Sequence, residues 1–163
     1  MVELGERGGV VCGGCIGVQY VGEGVLLAVV LTREAYREFL WGWASLVVEL
    51  NDRAYTSKCS EREVIRVPIS HGEGSYFADP ATLSRLEQNG QVVFRYCDPN
   101  GNVVASSNPN GSMHNIAGIV NKRGNVLGMM PHPERCSEPE LGGSDGLKLF
   151  RSVTESAMRV LAS

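Results

Sequence analysis

VVCGGCIGVQ, residues 10–19, runs from an apolar start through two adjacent glycines to a cysteine, with a third glycine two places beyond it. Gly13 to Gly17 fits G-x-C-x-G, the cysteine form of an elbow in which a strand turns sharply into a helix and presents a nucleophile at the corner. Glycines beside the corner admit a backbone that a Cβ would obstruct. A thiol there lies near a helix N-terminus, where the dipole and free N–H groups favour the thiolate, and the N–H of Ile16 can face a developing oxyanion. Strand, elbow and helix in that order point to an α/β fold. The same residues spell Cys12-Gly-Gly-Cys15, a C-x-x-C of the thioredoxin-like redox type. They can also be a buried strand and turn carrying two inert small cysteines. No metal site is expected, because Cys59, Cys97 and Cys136 stand alone where zinc would want a matching pair.

Outward from this stretch, short apolar runs predict strands at 9–12, 44–50, 64–69, 91–96, 102–105, 116–121 and 126–130. Asp98-Pro99-Asn100-Gly101 and Arg123-Gly124-Asn125 are turns between such runs, so 91–130 reads as hairpins. Helices are expected at 32–40, at 79–87 with Asp79 as cap and Pro80 at the first position, and at 144–161. In the last, Leu147, Phe150, Val153 and Ala157 recur at helical spacing. No repeat or linker interrupts the 163 residues, which suit one domain, and 43% hydrophobic with 20% charged residues is an ordinary globular composition. The net charge of -3, without a basic patch, argues against nucleic acid. The longest apolar run, residues 25–31, is far short of the ~20 residues that span a bilayer. No membrane partner and a cytosolic location are therefore expected, and five cysteines in no secreted framework suggest reduced thiols.

A cysteine nucleophile needs a base and a group that orients it. His71-Gly72-Glu73 and His132-Pro133-Glu134 are both H-x-E, and residues two apart in an extended segment point the same way. Pro131 and Pro133 stiffen the second pair, whereas Gly72 and Gly74 leave the first loose. His132 also follows an apolar run at 126–130, and α/β sites gather at the C-terminal ends of such strands. His132 and Glu134 are therefore the favoured pair. The loop Asn108-Pro109-Asn110-Gly111-Ser112 can present backbone amides to a ligand or be a plain turn, and Gln19 can face the site or be a polar helix residue.

The stretches ISHGEGSYFADPATLSRLEQNGQVVFRYCDPNGN, NPNGSMHNIAGIVNKRGNVLGMMPHPER and GGSDGLKLFRS resemble the glutaminase subunits of phosphoribosylformylglycinamidine synthase, class I glutamine amidotransferases of purine synthesis. The resemblance is close over about residues 64–152. It implies a flavodoxin-like open mixed sheet flanked by helices, with residues 1–163 forming one partial domain that lacks the family's first strands. It implies Cys15 as nucleophile, His132 as general base and acid, and Glu134 as the residue orienting it. It places Gln19 near the substrate; Asn110, Gly111 and Ser112 of the polar loop and the Ile16 N–H of the elbow, candidates from the residues themselves, would complete the glutamine and oxyanion contacts. Ammonia would pass to a large synthetase subunit, joined by a small bridging subunit. No resident cofactor is implied: the chain has no phosphate loop, so ATP and magnesium would belong to the synthetase. Two departures stand out. Family members carry a further glycine-rich oxyanion loop before the elbow, and Ile16 stands where they usually have Asn. A silent subunit that only docks on the synthetase is one alternative, and a Cys12/Cys15 redox protein is another.

Overall fold

The structure is a computed structural model that describes residues 2–15, 17–18, 30–33 and 39–162. Its strands are β1 (Val11–Gly14), β2 (Val30–Arg33), β3 (Leu40–Val48), β4 (Val64–His71), β5 (Glu73–Phe77), β6 (Val92–Cys97), β7 (Ile116–Val120) and β8 (Val126–Met129). The helices are α1 (Val2–Glu6), α2 (Pro80–Gln88) and α3 (Leu147–Leu161). Six strands form an open mixed sheet in the order β1-β8-β7-β6-β3-β4, with β1 and β8 parallel and the other neighbours antiparallel. β2 and β5 make a separate antiparallel ribbon. No helix among the described residues is long and apolar enough to cross a membrane.

Every residue of β7 and β8 is buried, because alternate side chains enter two cores. Ile116, Ile119 and Val126 pack with Leu83 and Leu86 of α2, while Ala117, Val120, Leu127 and Met129 pack with Leu149 of α3. The expected α/β layering, helices on both faces of a mixed sheet, is what forms. α2 starts as its sequence predicts: Asp79 accepts from the N–H groups of Ala81 and Thr82, both at 3.0 Å, and Pro80 follows. The hairpin β7–β8 turns at Asn121–Asn125 as expected.

Four expectations are corrected. Residues 102–105 form no strand, because the Asp98 carboxylate accepts from the backbone of Asn100 and Asn102 and curls the chain into a turn. Thr32 and Arg33 pair with β5 and Leu40 opens β3, so the helix expected at 32–40 does not form there, and 34–38 lie outside the described residues. β5 was hidden because its Gly- and Ser-containing stretch has no apolar run. α3 begins at Leu147, not 144, because Asp145 spends its carboxylate on the N–H of Arg66 at 2.8 Å.

Candidate active site

β1 delivers Cys15 to its C-terminal end. Gly14 is in register with Met129, and Cys15 N donates to Met129 O at 3.0 Å, which ties the cysteine to the end of the parallel neighbour β8. The chain turns abruptly there. Cys15 holds φ at 50°, a left-handed conformation that costs a non-glycine residue about 1–3 kcal/mol, and Val18 N donates back to Cys15 O at 3.0 Å to begin a helical turn. The strain of the elbow thus falls on the cysteine itself. Among the described residues, nothing lies within 4 Å of where a Cβ on Gly14 or Gly17 would stand.

His132 stands three residues beyond Met129, between the two prolines, and is 7% exposed. Its N–H donates to Pro68 O on β4 at 2.7 Å, and the Cys15 thiol donates to Ser70 O on the same strand at 3.8 Å. β4 lies at the opposite end of the strand order from β1, so the sheet curls until its last strand meets the mouth formed by β1 and β8. His132 Nδ1 and Glu134 Oε1 are 2.6 Å apart. A neutral imidazole that donates Nδ1–H to this carboxylate keeps its lone pair on Nε2. That Nε2 is buried and has no hydrogen-bond partner among the described residues. Glu134 makes the contact from a 3-10 turn, Pro133–Cys136, rather than from the extended segment that its spacing suggests.

Two groups near the site differ from their expected parts. His71, expected in a loose segment, ends β4 and is 2% exposed; burial first, and the charge of His132 second, push its pKa down to about 4. Its H-x-E spelling was visible, but its place beside His132 depends on the curl of the sheet. Cys12 is paired with Leu127 inside β1, and although its residue surface is exposed, desolvation of the thiol, then the Glu134 carboxylate, raise its pKa to about 11. Asn110 and Ser112, expected to offer groups to a ligand, are buried and bonded to protein atoms. The Gly111 backbone lies between them in a turn with φ 73°. Ile16 and Gln19 lie outside the described residues.

The family of CobB/CobQ-like glutamine amidotransferase domains matches residues 8–142. The chain is 53% identical over 156 residues to the phosphoribosylformylglycinamidine synthase subunit PurQ of Gloeobacter violaceus, covering 96% of this chain and 67% of that protein. It is 50% identical over 155 residues to the PurQ of Moorella thermoacetica, covering 95% of this chain and 66% of that one. It therefore spans about two-thirds of the length of these relatives. A structure of PurLQS from Thermotoga maritima superposes with a TM-score of 0.79 at 37% identity, covering 94% of this chain and 64% of that one. A glutamine amidotransferase from the same organism shares the fold, with a TM-score of 0.51 at 16% identity over 96% of this chain and 60% of that one. A strained cysteine at a strand end, a histidine–glutamate pair at the next, and these matches together place the chain in the CobB/CobQ-like glutamine amidotransferase family, in the branch of the PurQ subunits.

Proposed function

We propose that the chain hydrolyses the side-chain amide of glutamine and hands the ammonia to the synthetase subunit of phosphoribosylformylglycinamidine synthase, whose small third subunit completes the assembly. The observation that carries this reading is His132, whose Nδ1 is committed to Glu134 while its buried Nε2 has no partner among the described residues, with His132 and the strained Cys15 bonded to the β4 carbonyls of Pro68 and Ser70. His132 Nε2 takes the proton of Cys15 Sγ, and the thiolate adds to the amide carbon. His132 then returns the proton to the nitrogen, the C–N bond breaks and ammonia leaves a thioester. Water, deprotonated by the same imidazole, cleaves the thioester to glutamate and restores the thiol. The backbone N–H of Ile16 is assigned to the oxyanion and Gln19 to the substrate, both by resemblance. ATP and magnesium chemistry would remain with the synthetase.

Glutamate release by the wild type, Cys15→Ser and His132→Asn, each with the synthetase partner present, tests the proposal. Turnover is expected only from the wild type, and equal background release from all three would overturn it. Synthetase binding retained without turnover would make the chain a docking subunit. A redox role for Cys12 and Cys15 is opposed by the raised Cys12 pKa, since the thiolate is the reactive form. Cys12→Ser is accordingly expected to leave turnover unchanged.

A further inference from the structure

The loop at residues 108–112 is turned inward. Asn110 is 0% and Ser112 3% exposed. The Asn110 amide uses all of its hydrogen-bonding capacity: Nδ2 donates to Gly74 O at 2.8 Å and to the Tyr96 hydroxyl at 3.3 Å, and Oδ1 accepts from Ser112 N at 3.1 Å and Ser112 Oγ at 2.7 Å. Ser112 Oγ in turn accepts from Tyr76 N at 3.0 Å. The loop therefore grips β5 at two points, Gly74 and Tyr76. Gly74 leaves no room for a side chain: a Cβ there would stand 2.7 Å from both His71 Nδ1 and Met130 Cε. Met130 leads through Pro131 to His132, and His71 senses the charge of His132.

We propose that Asn110 and Ser112 are positioning residues, which fix the Gly74 backbone where His71 and Met130 fill the space a side chain would take, and so set where the His132 imidazole stands relative to Cys15. The inference rests on the triad reading above and departs from the substrate-binding part expected of this loop. Removing the Asn110 amide takes the 2.8 Å donor from Gly74 O, leaving Ser112 Oγ at 3.5 Å, and frees the glycine on which His71 and Met130 close in. His132, still tied to Pro68 O and Glu134 but no longer backed through Met130 and His71, shifts against the thiol. A misplacement of about 1 Å can cost on the order of 10²-fold in rate. Among the described residues, the titratable and charged groups around His132 are Cys12 on β1 and Cys15 just past its end, His71 on β4, and Glu134 and Arg135 on its own turn.

The test uses Asn110→Ala and the milder Ser112→Ala in the full chain with its synthetase partner. Steady-state glutamine hydrolysis is followed with the pH profile of Cys15 alkylation by iodoacetamide. The expected result is a fall in kcat of ~10-fold or more with KM little changed, and a displaced His132-dependent limb of the alkylation profile, at temperatures where both variants remain folded. Lower melting temperatures with an unmoved limb and unchanged kcat would overturn the inference and leave a purely structural loop. A wild-type limb that survives in His132→Asn would instead overturn the triad reading, so the two failures are distinguishable.

Discussion

Cys15 carries its strain in the backbone and needs no unusual neighbour to be presented, since φ of 50° at the strand end lifts it out of the plane of β1. His132 has a negative φ of -108° and is held by prolines on either side, by Pro68 O on its N–H and by Glu134 on Nδ1. Only the last determines which ring nitrogen carries the lone pair. Glu134→Gln keeps the shape but lets the ring present either tautomer, and kcat is expected to fall ~10²-fold or more with little change in melting temperature, because Glu134 is half exposed. Stopped assays and thermal melts on the same preparation check both halves. The elbow and both H-x-E pairs were legible as spellings. The prolines and the strand before it favour His132 over His71 in the sequence. Glu134 reaching back from a 3-10 turn was not legible, because two-residue spacing is compatible with either geometry.

The element that supports the histidine turn is the start of α3. An ideal Cβ on Gly146 would lie 2.0 Å from Pro133 O and 3.0 Å from Cys136 Sγ, so helix and turn touch backbone to backbone. Gly146→Ala must push the turn that carries His132 and Glu134 away from α3. It is expected to cost about 1–3 kcal/mol of stability and to lower kcat as well. Asp79→Ala is the contrasting change: it removes the cap of α2, far from the turn in sequence, and should lower the melting temperature with turnover retained. Calorimetry paired with activity separates the two. α2 was readable because cap, proline and exit are local signals. β2 and β5 were not, since a short strand with Glu73, Gly74 and Ser75 and a strand followed by acidic and basic residues are stabilised by pairing with each other rather than by their own propensity.

Across the whole molecule, the curl of the sheet buries His71 and lowers its affinity for protons. An unfolded chain binds a proton at this histidine near pH 6.5, whereas the folded chain does so only near pH 4, so between these values the unfolded state holds more protons. Stability is therefore present above pH 6.5 and is lost as the pH falls toward 4, by up to about 1.4 kcal/mol per pH unit from this group. Chemical denaturation at a series of pH values should show the loss, and His71→Asn should flatten it, with any slope left belonging to other groups.

What the sequence alone determined is whatever depends on neighbours along the chain: the elbow at Cys15, the stiff Pro-His-Pro-Glu turn, the cap of α2, the apolar alternation of β7 and β8, and the family they jointly resemble. These follow from backbone sterics and side-chain period, which act over a few residues. What only the tertiary structure decided is which separate segments meet. β4 is the far strand in the sheet order, yet it supplies Pro68 O to His132, Ser70 O to Cys15 and the buried His71. The loop of Asn110 and Ser112 is spent on holding β5 rather than on an open surface. Sheet curvature arises from the summed twist and packing of all the strands, so no short stretch of sequence encodes it.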